Sequence, residues 1–517
     1  MLFTTAVRKW NNIRANRAEG FVCSSRSSRF SWLILCNVLT ALMIFSAPAQ
    51  IQQAWVAHYN NGIANGTNQV VKIALDSNGN IYVTGFSQNT NSNLGYVTIK
   101  YAPNANQLWA ARYDSTNHPS AMPVGLVLGN SNNVFVTGNA LTVKYDANGN
   151  QLWTAPYAGT SLAVDTNENS VVTGISTSFG TVKLNPNGSN LWVATYPSSY
   201  GLALGQQVLI ASDGSVYVAG SYTYICQEGM CYLEMLATKY NANGNQLWFA
   251  NSFQADVFSV QVEAVTLDGV NNFYVVTSFG SDFNVSVSKY ATDGSLVWLA
   301  GPDYSVNSRF PGLVLDSQTN VLVTGKDGND YPDFYYGTYK INTNGSTLWS
   351  NYYPQPPVGV SVATSVAVDS ANNSYVTGYS PGTNSENDIV TMKYGPNGNQ
   401  LWLQRYSSPG NGNAAGNAIA VDSNGNVYVA GYDTTTAGGT EMVLIKYSPV
   451  TLQRKPDGTV LLETQGSPGE SYDIQASVDL LNWMDLGNVL ADTNGLMQFD
   501  DTNAPNYNAR FYYTNPQ

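Results

Sequence analysis

The sequence predicts an all-β protein: four-stranded antiparallel sheets set in an eight-bladed β-propeller, followed by a small β-sandwich. Three observations carry that expectation. A unit of four strand-like runs recurs from Trp55 to Tyr447. One tryptophan and one lysine recur in each copy. The array opens on the last run of the unit and stops on its third.

The unit is clearest between Thr364 and Tyr406. Its runs are Thr364–Asp369, Ser374–Tyr379, Asp388–Tyr394 and Gln400–Tyr406. Val, Ile, Thr, Tyr and Trp dominate them, and these residues suit a pleated, half-buried surface. Asn397-Gly398 precedes the fourth run, a pair that tolerates the positive φ of a tight hairpin. The same slot reads Asn148-Gly149, Asn187-Gly188, Asn243-Gly244, Asp293-Gly294 and Asn344-Gly345. One such sheet cannot cover both its faces, whereas stacked copies can.

The tryptophan sets the register at Trp55, Trp109, Trp153, Trp192, Trp248, Trp298, Trp349 and Trp402. The lysine ends the third run at Lys100, Lys144, Lys183, Lys239, Lys289, Lys340, Lys393 and Lys446. Eight of each predict eight copies. A seven-bladed ring is the alternative if the short second and third copies merge. The array starts with a fourth-type run, Gln53–Tyr59, and ends with a third-type run, Met442–Tyr447. Only the N-terminal run can then complete the last copy. Ring closure by the two chain ends needs that arrangement, and it leaves no long open edge.

The flanks differ in character. Residues 1–49 carry a basic stretch, an apolar run from Trp32 to Phe45, and Ala47-Pro48-Ala49. They read as a secretory signal peptide, with an N-terminal anchor as the alternative. The propeller is expected over 50–449, a linker over 450–456, and the β-sandwich over 457–517. Beyond residue 49 the chain holds 16 Lys and Arg against 33 Asp and Glu. That charge argues against nucleic acid and against insertion into anionic membranes. A secreted or cell-surface location follows from the signal. Cys226 and Cys231 are the cysteines outside it, and a loop disulfide is the expectation in an oxidising compartment.

Catalytic equipment is sparse. His58 and His118 are the two histidines, so no His-based triad or zinc set is evident. No catalytic residue, metal ligand or cofactor is singled out. The D-x-N-x-N runs at Asp76 and Asp422 lack the Gly and Glu of a calcium loop and read as Asx turns. The repeated lysine has a natural partner in the aspartate closing the first run: Asp76, Asp165, Asp268, Asp316, Asp369 and Asp422. Gly129 and Ala211 replace it in two copies. The expectation is blade-to-blade ion pairing, with a ligand-gripping charged ring as the alternative.

The phrases D-x-x-G/N-N-x-Y-V-T-G and V-x-x-K-Y-x-x-x-G resemble the bacterial SBBP-type β-propeller repeats. That resemblance implies secreted or surface-exposed proteins and no defined reaction. The spacing from Gly149 to Trp153 and from Gly398 to Trp402 is similar to the docking motif of quinoprotein propellers, which implies a Trp wedged between neighbouring blades. The segment from Tyr472 to Trp483 resembles small β-sandwich modules that end bacterial secreted proteins.

Function is expected on the face that carries the second turn of each unit. From second-run Gly to third-run Lys the separation runs from 6 residues in the second copy to 19 in the fourth. The first and third turns stay uniform. Length variation on one face of a rigid array marks specificity. The long loops hold Tyr222 and Tyr224 in the fourth copy and Tyr331, Asp333 and Tyr335 in the sixth. Aromatic rings beside carboxylates suit sugar faces. The expected function is a secreted, non-catalytic propeller that binds a carbohydrate or a surface protein. The alternatives are an extracellular propeller enzyme, quinone-dependent or polysaccharide-cleaving, and a purely structural surface role.

Overall fold

The computed structural model describes residues 51–516 apart from 176–178, 197–202, 228–229, 253–259, 280–283, 302–308, 331–332, 354–359 and 384. The expected signal or anchor, 1–49, lies outside these residues. The described chain is β-structure with one short 3₁₀ turn, Ala504–Asn506. No helix among the described residues is long and apolar enough to cross a membrane.

From Asn68 to Tyr406 the chain forms seven consecutive four-stranded antiparallel sheets, here sheets 1 to 7. Sheet 1 consists of Asn68–Leu75, Ile81–Gln88, Leu94–Tyr101 and Gln107–Tyr113. Sheet 7 consists of Val362–Val368, Ser374–Pro381, Asn387–Tyr394 and Gln400–Tyr406. The short second and third copies each make a sheet of their own. Sheet 8 takes Ala415–Val421, Val427–Thr434 and Thr440–Pro449 from the end of the array. Its fourth strand is Ile51–Tyr59, antiparallel to Thr440–Pro449, with Ile51 opposite Pro449 and Tyr59 opposite Met442.

Each first strand packs against the first strand of the next sheet, and that of sheet 8 packs against that of sheet 1. The core is therefore divided. Eight apolar clusters each lie between two adjacent sheets. The cluster between sheets 8 and 1 joins Trp55, Tyr428 and Leu444 to Ile81, Val97 and Ile99. Second and third strands are buried on both faces, as in Ser374–Pro381 and Leu94–Tyr101. That burial explains their Val, Ile and Tyr content, and their buried threonines pair across strands, Thr84 with Thr98 at 3.0 Å and Thr377 with Thr391 at 3.1 Å.

The hairpins differ from the expected tight turn. Gly398 has φ +82° and Asn397 does not share the positive φ. Gly395 N–H donates to Asn399 O, and Gly398 N–H donates back to Gly395 O. This is a type I turn with a one-residue bulge at positive φ, a position glycine fills in most copies and Ala105 fills in sheet 1 at φ 70°, so Asp293 can replace Asn before it. The first turns share the design, with Asn372 at φ 63°. Their aspartates form the expected Asx turns. Asp76 Oδ1 accepts from the N–H groups of Asn78 and Asn80, both at 2.9 Å, and Oδ2 from Asn80 Nδ2 at 2.8 Å.

Two further features are absent from the sequence reading. A register shift occurs at matching positions of seven first strands, for example between Val70 and Lys72 and between Gly416 and Ala418. Residues at or next to these bulges reach the neighbouring sheet: Thr364 Oγ1 donates to Gly416 O at 2.5 Å and Asn417 Nδ2 to Val70 O at 2.7 Å. The stretch 450–456 is not a free linker. Thr451–Arg454 is a strand paired with Val460–Gln465. It belongs to a two-sheet module of three strands each, packed around Val450, Leu462, Ile474, Ala476 and Tyr512. The module touches sheet 8, where Gln52 Nε2 donates to Gln465 O at 2.7 Å and Tyr472 OH to Ala54 O at 3.3 Å.

Candidate functional site

The two ends of the sheets carry different chemistry. At the end holding the first and third turns, one arrangement repeats. The Trp Nε1 of one sheet donates to a third-turn carbonyl of the next, at 2.8–3.2 Å for seven of the eight tryptophans. The third-turn glycine lies on the same ring: a Cβ on Gly398 would stand 2.8 Å from Trp349. The expected wedge between neighbouring blades has this geometry.

The repeated lysine joins that arrangement, and its pairing corrects the expectation. Lys340 Nζ lies 2.8 Å from Asp316, Lys183 3.2 Å from Asp165, and Lys393 3.8 Å from Asp369. Each pair belongs to one sheet, because first and third strands run the same way with one strand between them. These three ion pairs are thus intra-sheet, and at Lys340 the bridge to the next sheet is a carbonyl. Lys340 Nζ also donates to Pro396 O at 3.4 Å, the atom that Trp349 bonds. Where Gly129 replaces the aspartate, Glu168 of the next sheet reaches Lys144 at 2.8 Å. Burial acts to raise the Asp316 carboxyl, and hydrogen bonds from Lys340 and Asn320 outweigh it, holding it below the usual carboxylate range. Lys100, Lys144, Lys239, Lys289, Lys393 and Lys446 also lie over an aromatic ring of their own sheet, 4.8–5.5 Å from its centroid. These groups are spent on one another. Clefts of about 450 and 470 Å³ open between first turns of sheets 3 and 4 and of sheets 8 and 1. Their walls are the same turn aspartates and asparagines, with Lys183 in one and Lys446 and Gln465 in the other.

The opposite end varies from sheet to sheet. Sheets 4 and 6 extend furthest, with second and third strands of 12 and 11 residues and of 10 and 9. Tyr222 is half-buried and meets Tyr196 edge-on at 5.8 Å, so it packs between sheets. Tyr224 sits at a register shift, and Cys226 stands directly opposite Cys231 in the hairpin. The side chains of these three residues lie outside the described residues, and so does the disulfide expectation. In sheet 6, Tyr331 also lies outside them, as does the Asp333 side chain, whose backbone pairs with Asp330. Tyr335 pairs with Asp327 and stays half-buried. Its neighbours turn inward. Tyr336 is fully buried, and Phe334 lies under Lys326 Nζ at 3.6 Å.

Polar clusters that sequence reasoning missed line this end. Arg405 donates to Asp388 at 2.7 Å, to Tyr353 OH at 3.0 Å and to Ser380 Oγ at 3.2 Å. Arg309 pairs with Glu263 at 3.0 Å, and Ser278 donates to Glu263 at 2.6 Å. Tyr339 OH donates to the buried Asp327, and burial followed by that carboxylate pushes the phenol far up. In sheet 8, His58, Asp433 and Glu441 each bring one ligand atom within 4.8 Å of the others. No metal ligand is singled out by the sequence, and the fold brings these three potential ligand groups together as one set. No spacing in the sequence announces it, because its members come from three strands and both chain ends.

Residues 402–432 match the family model described as Beta-propeller repeat, SBBP. An uncharacterised WD repeat-containing protein of Acanthamoeba polyphaga mimivirus is 26% identical over 480 residues, covering 78% of this chain and 32% of that protein. The chain thus spans about a third of the curated relative it matches. That relative is viral, so the bacterial origin implied by the resemblance gains no support from it. Among solved structures, virginiamycin B lyase from Staphylococcus aureus with quinupristin has a TM-score of 0.43 at 12% identity, covering 77% of this chain and 99% of that one. Apo AztD from Citrobacter koseri has a TM-score of 0.42 at 9% identity, covering 87% and 99%. Residues 402–432 thus carry the SBBP β-propeller repeat.

Proposed function

We propose that the eight sheets are the blades of one closed ring, and that the ring is a secreted, non-catalytic binding protein for a glycan or a surface partner. Closure draws support from the strand Ile51–Tyr59 in sheet 8 and from the contacts between the first strands of sheets 8 and 1. One observation carries the binding reading. The first- and third-turn end repeats a single self-satisfied arrangement, while the second-turn end differs in length and chemistry at each sheet. Groups that must recognise something are better placed where the scaffold does not already occupy them. The hairpin of sheet 6, with Tyr331, Asp333 and Tyr335, is the proposed contact, since tyrosine stacks on sugar C–H faces and carboxylates accept from hydroxyls.

A glycan array probed with residues 50–517 tests this. Once a ligand is identified, a Tyr331→Ala, Tyr335→Ala double variant should weaken binding at least tenfold, about 1.4 kcal/mol, with an unchanged melting curve. Unchanged affinity would move the site away from this hairpin. An array with no bound glycan would leave the surface-protein form of the proposal, tested by cross-linking at the same hairpin.

A further inference from the structure

Sheet 8 holds a grouping that neither the packing nor the proposed binding face uses. His58 lies on Ile51–Tyr59, Asp433 on Val427–Thr434 and Glu441 on Thr440–Pro449. His58 Nδ1 is 3.1 Å from Glu441 Oε1 and 3.7 Å from Asp433 Oδ2. Asp433 and Glu441 are direct cross-strand partners. Asp433 is wholly buried, and its Oδ1 has no hydrogen-bond partner. Its Oδ2 accepts from Tyr406 OH at 2.6 Å. Glu441 Oε2 accepts from Asn60 Nδ2 at 3.1 Å.

Hydrogen bonding alone does not satisfy this set. An imidazole offers one N–H at Nδ1, and Glu441 is the nearer acceptor. The second carboxylate then keeps a buried oxygen with nothing to bond, which is costly. Two carboxylates around one imidazole also leave an excess of negative charge. A divalent cation offsets that charge, and bidentate coordination by the Asp433 carboxylate would also give its buried Oδ1 a partner. Ligand atoms at 2.0–2.2 Å from a tetrahedral Zn²⁺ stand about 3.4 Å apart; the distances from His58 Nδ1, 3.1 and 3.7 Å, fall on either side of that value, and all three ligand atoms lie within 4.8 Å of one another. Tyr406 and Asn60 would orient the two carboxylates from outside, as metal-bound carboxylates require. His58 is partly exposed, giving the ion a way in and leaving a fourth position for water.

We propose that His58, Asp433 and Glu441 bind one divalent transition-metal ion of the Zn²⁺ type, which staples strand Ile51–Tyr59 to the second and third strands of sheet 8. The ligands come from both ends of the chain, so the site exists only when those ends have met. Binding is then linked to closure.

The test uses the untagged full chain, stripped with chelator and titrated with ZnCl₂ by calorimetry, with melting followed in parallel. The expected result is one equivalent bound at micromolar or tighter affinity and a raised Tm. His58→Gln, at a partly exposed position, should leave the metal-free Tm unchanged and weaken binding at least tenfold. Asp433→Asn should do the same to binding, and His118→Gln should leave it intact. Co²⁺ should give the intense visible bands of a tetrahedral site, absent in His58→Gln. Failure to bind one equivalent, or a loss below tenfold in His58→Gln, overturns the proposal. Should Asp433→Asn not fold, the His58→Gln titration decides alone.

Discussion

Sheets 7 and 8 are built on the same repeat and differ in one respect: sheet 7 is a continuous stretch of chain, and sheet 8 borrows its fourth strand from the other end. In sheet 7 a hairpin joins third and fourth strands, and its Gly398 and Pro396 O receive Trp349 of sheet 6. Sheet 8 has no such hairpin. Trp402 of sheet 7 accordingly makes no Nε1 hydrogen bond among the described residues and rests against Tyr375 and Tyr447. Gln404 Nε2 reaches Ile51 O at 3.3 Å instead. The lysines diverge too. Lys393 stays within salt-bridge range of Asp369. Lys446 forms no such bridge with Asp422 and donates to Gln465 Oε1 of the C-terminal module at 2.5 Å and to Pro103 O at 3.3 Å. The tryptophan contact thus depends on the connectivity of the repeat; the lysine pairing varies among continuous sheets too, since among the described residues Lys100 and Lys289 form no salt bridge with Asp76 and Asp268. Where connectivity is broken, groups from outside the array take over.

Four experiments break or sharpen that contrast. Deleting Ile51–Tyr59 has the largest expected effect. It exposes the edge of Thr440–Pro449 and strips Ala54 and Trp55 from an intersheet cluster, so cooperative melting by circular dichroism should disappear. A deletion that still melts cooperatively would mean that sheet 8 does not depend on its borrowed strand. Next comes Lys340→Ala in a continuous sheet. It leaves the fully buried Asp316 without its cation, a change that typically costs about 3–5 kcal/mol. Lys455→Ala, at the exposed pair with Asp500, should shift the denaturation midpoint negligibly. Equal shifts in the two would refute the structural weight given to the repeated lysine.

Third, Trp349→Ala should cost about 3 kcal/mol, toward the low end for aromatic deletion because the ring is half-buried. Trp402→Ala should cost about 1 kcal/mol less, having no hydrogen bond to lose. Reversal of that order in urea unfolding would show that the acceptor carbonyl is irrelevant. The fourth effect is the smallest and appears as a pH slope. Burial pushes the Lys446 amine down to about 8, with Asp422 acting in the opposite direction. Between pH 8 and the unfolded lysine value near 10.4, the unfolded chain binds the extra proton. Folded stability therefore rises with pH across that window. The gain from pH 8 to 10 should be about 2 kcal/mol at about 1.4 kcal/mol per pKa unit. Lys446→Met should lose this slope, and a variant with the wild-type slope would assign it to other groups.

What the sequence disclosed follows from the same contrast. Features repeated eight times were legible, since Trp, Lys, Asp and Gly at fixed offsets announce one packing solution in each copy. The borrowed strand was legible because the array is out of phase with its ends. Features built once were not. Glu168 replaces a missing aspartate from the next sheet, the Arg405 network spans sheets 6 and 7, and His58 meets Asp433 only after closure. No local pattern encodes such meetings. In sheet 6, Tyr336 is buried while Tyr335 stays half-buried, because alternation along a strand, rather than composition, decides which tyrosine turns inward. Thr451–Arg454 escaped because its four residues are all exposed and carry no apolar alternation.

The pairing of Ile51–Tyr59 with Thr440–Pro449 also sets an order of events. The first strand of the described chain to leave the ribosome is among the last to find its place, since its partner is made only after the whole array. Until then it must stay unpaired with seven other third strands beside it that share the lysine near their ends. Contacts this distant slow folding, because loop closure precedes any reward. Its register is nevertheless distinct. Ala54 and Trp55 mesh with Tyr428 and Leu444, and the other third strands already have a hairpin-linked neighbour at local concentrations that a distant segment cannot match. The vacancy at the edge of Thr440–Pro449 is thus the kinetic address of this strand, and the slowest refolding phase should be the one that reports its arrival.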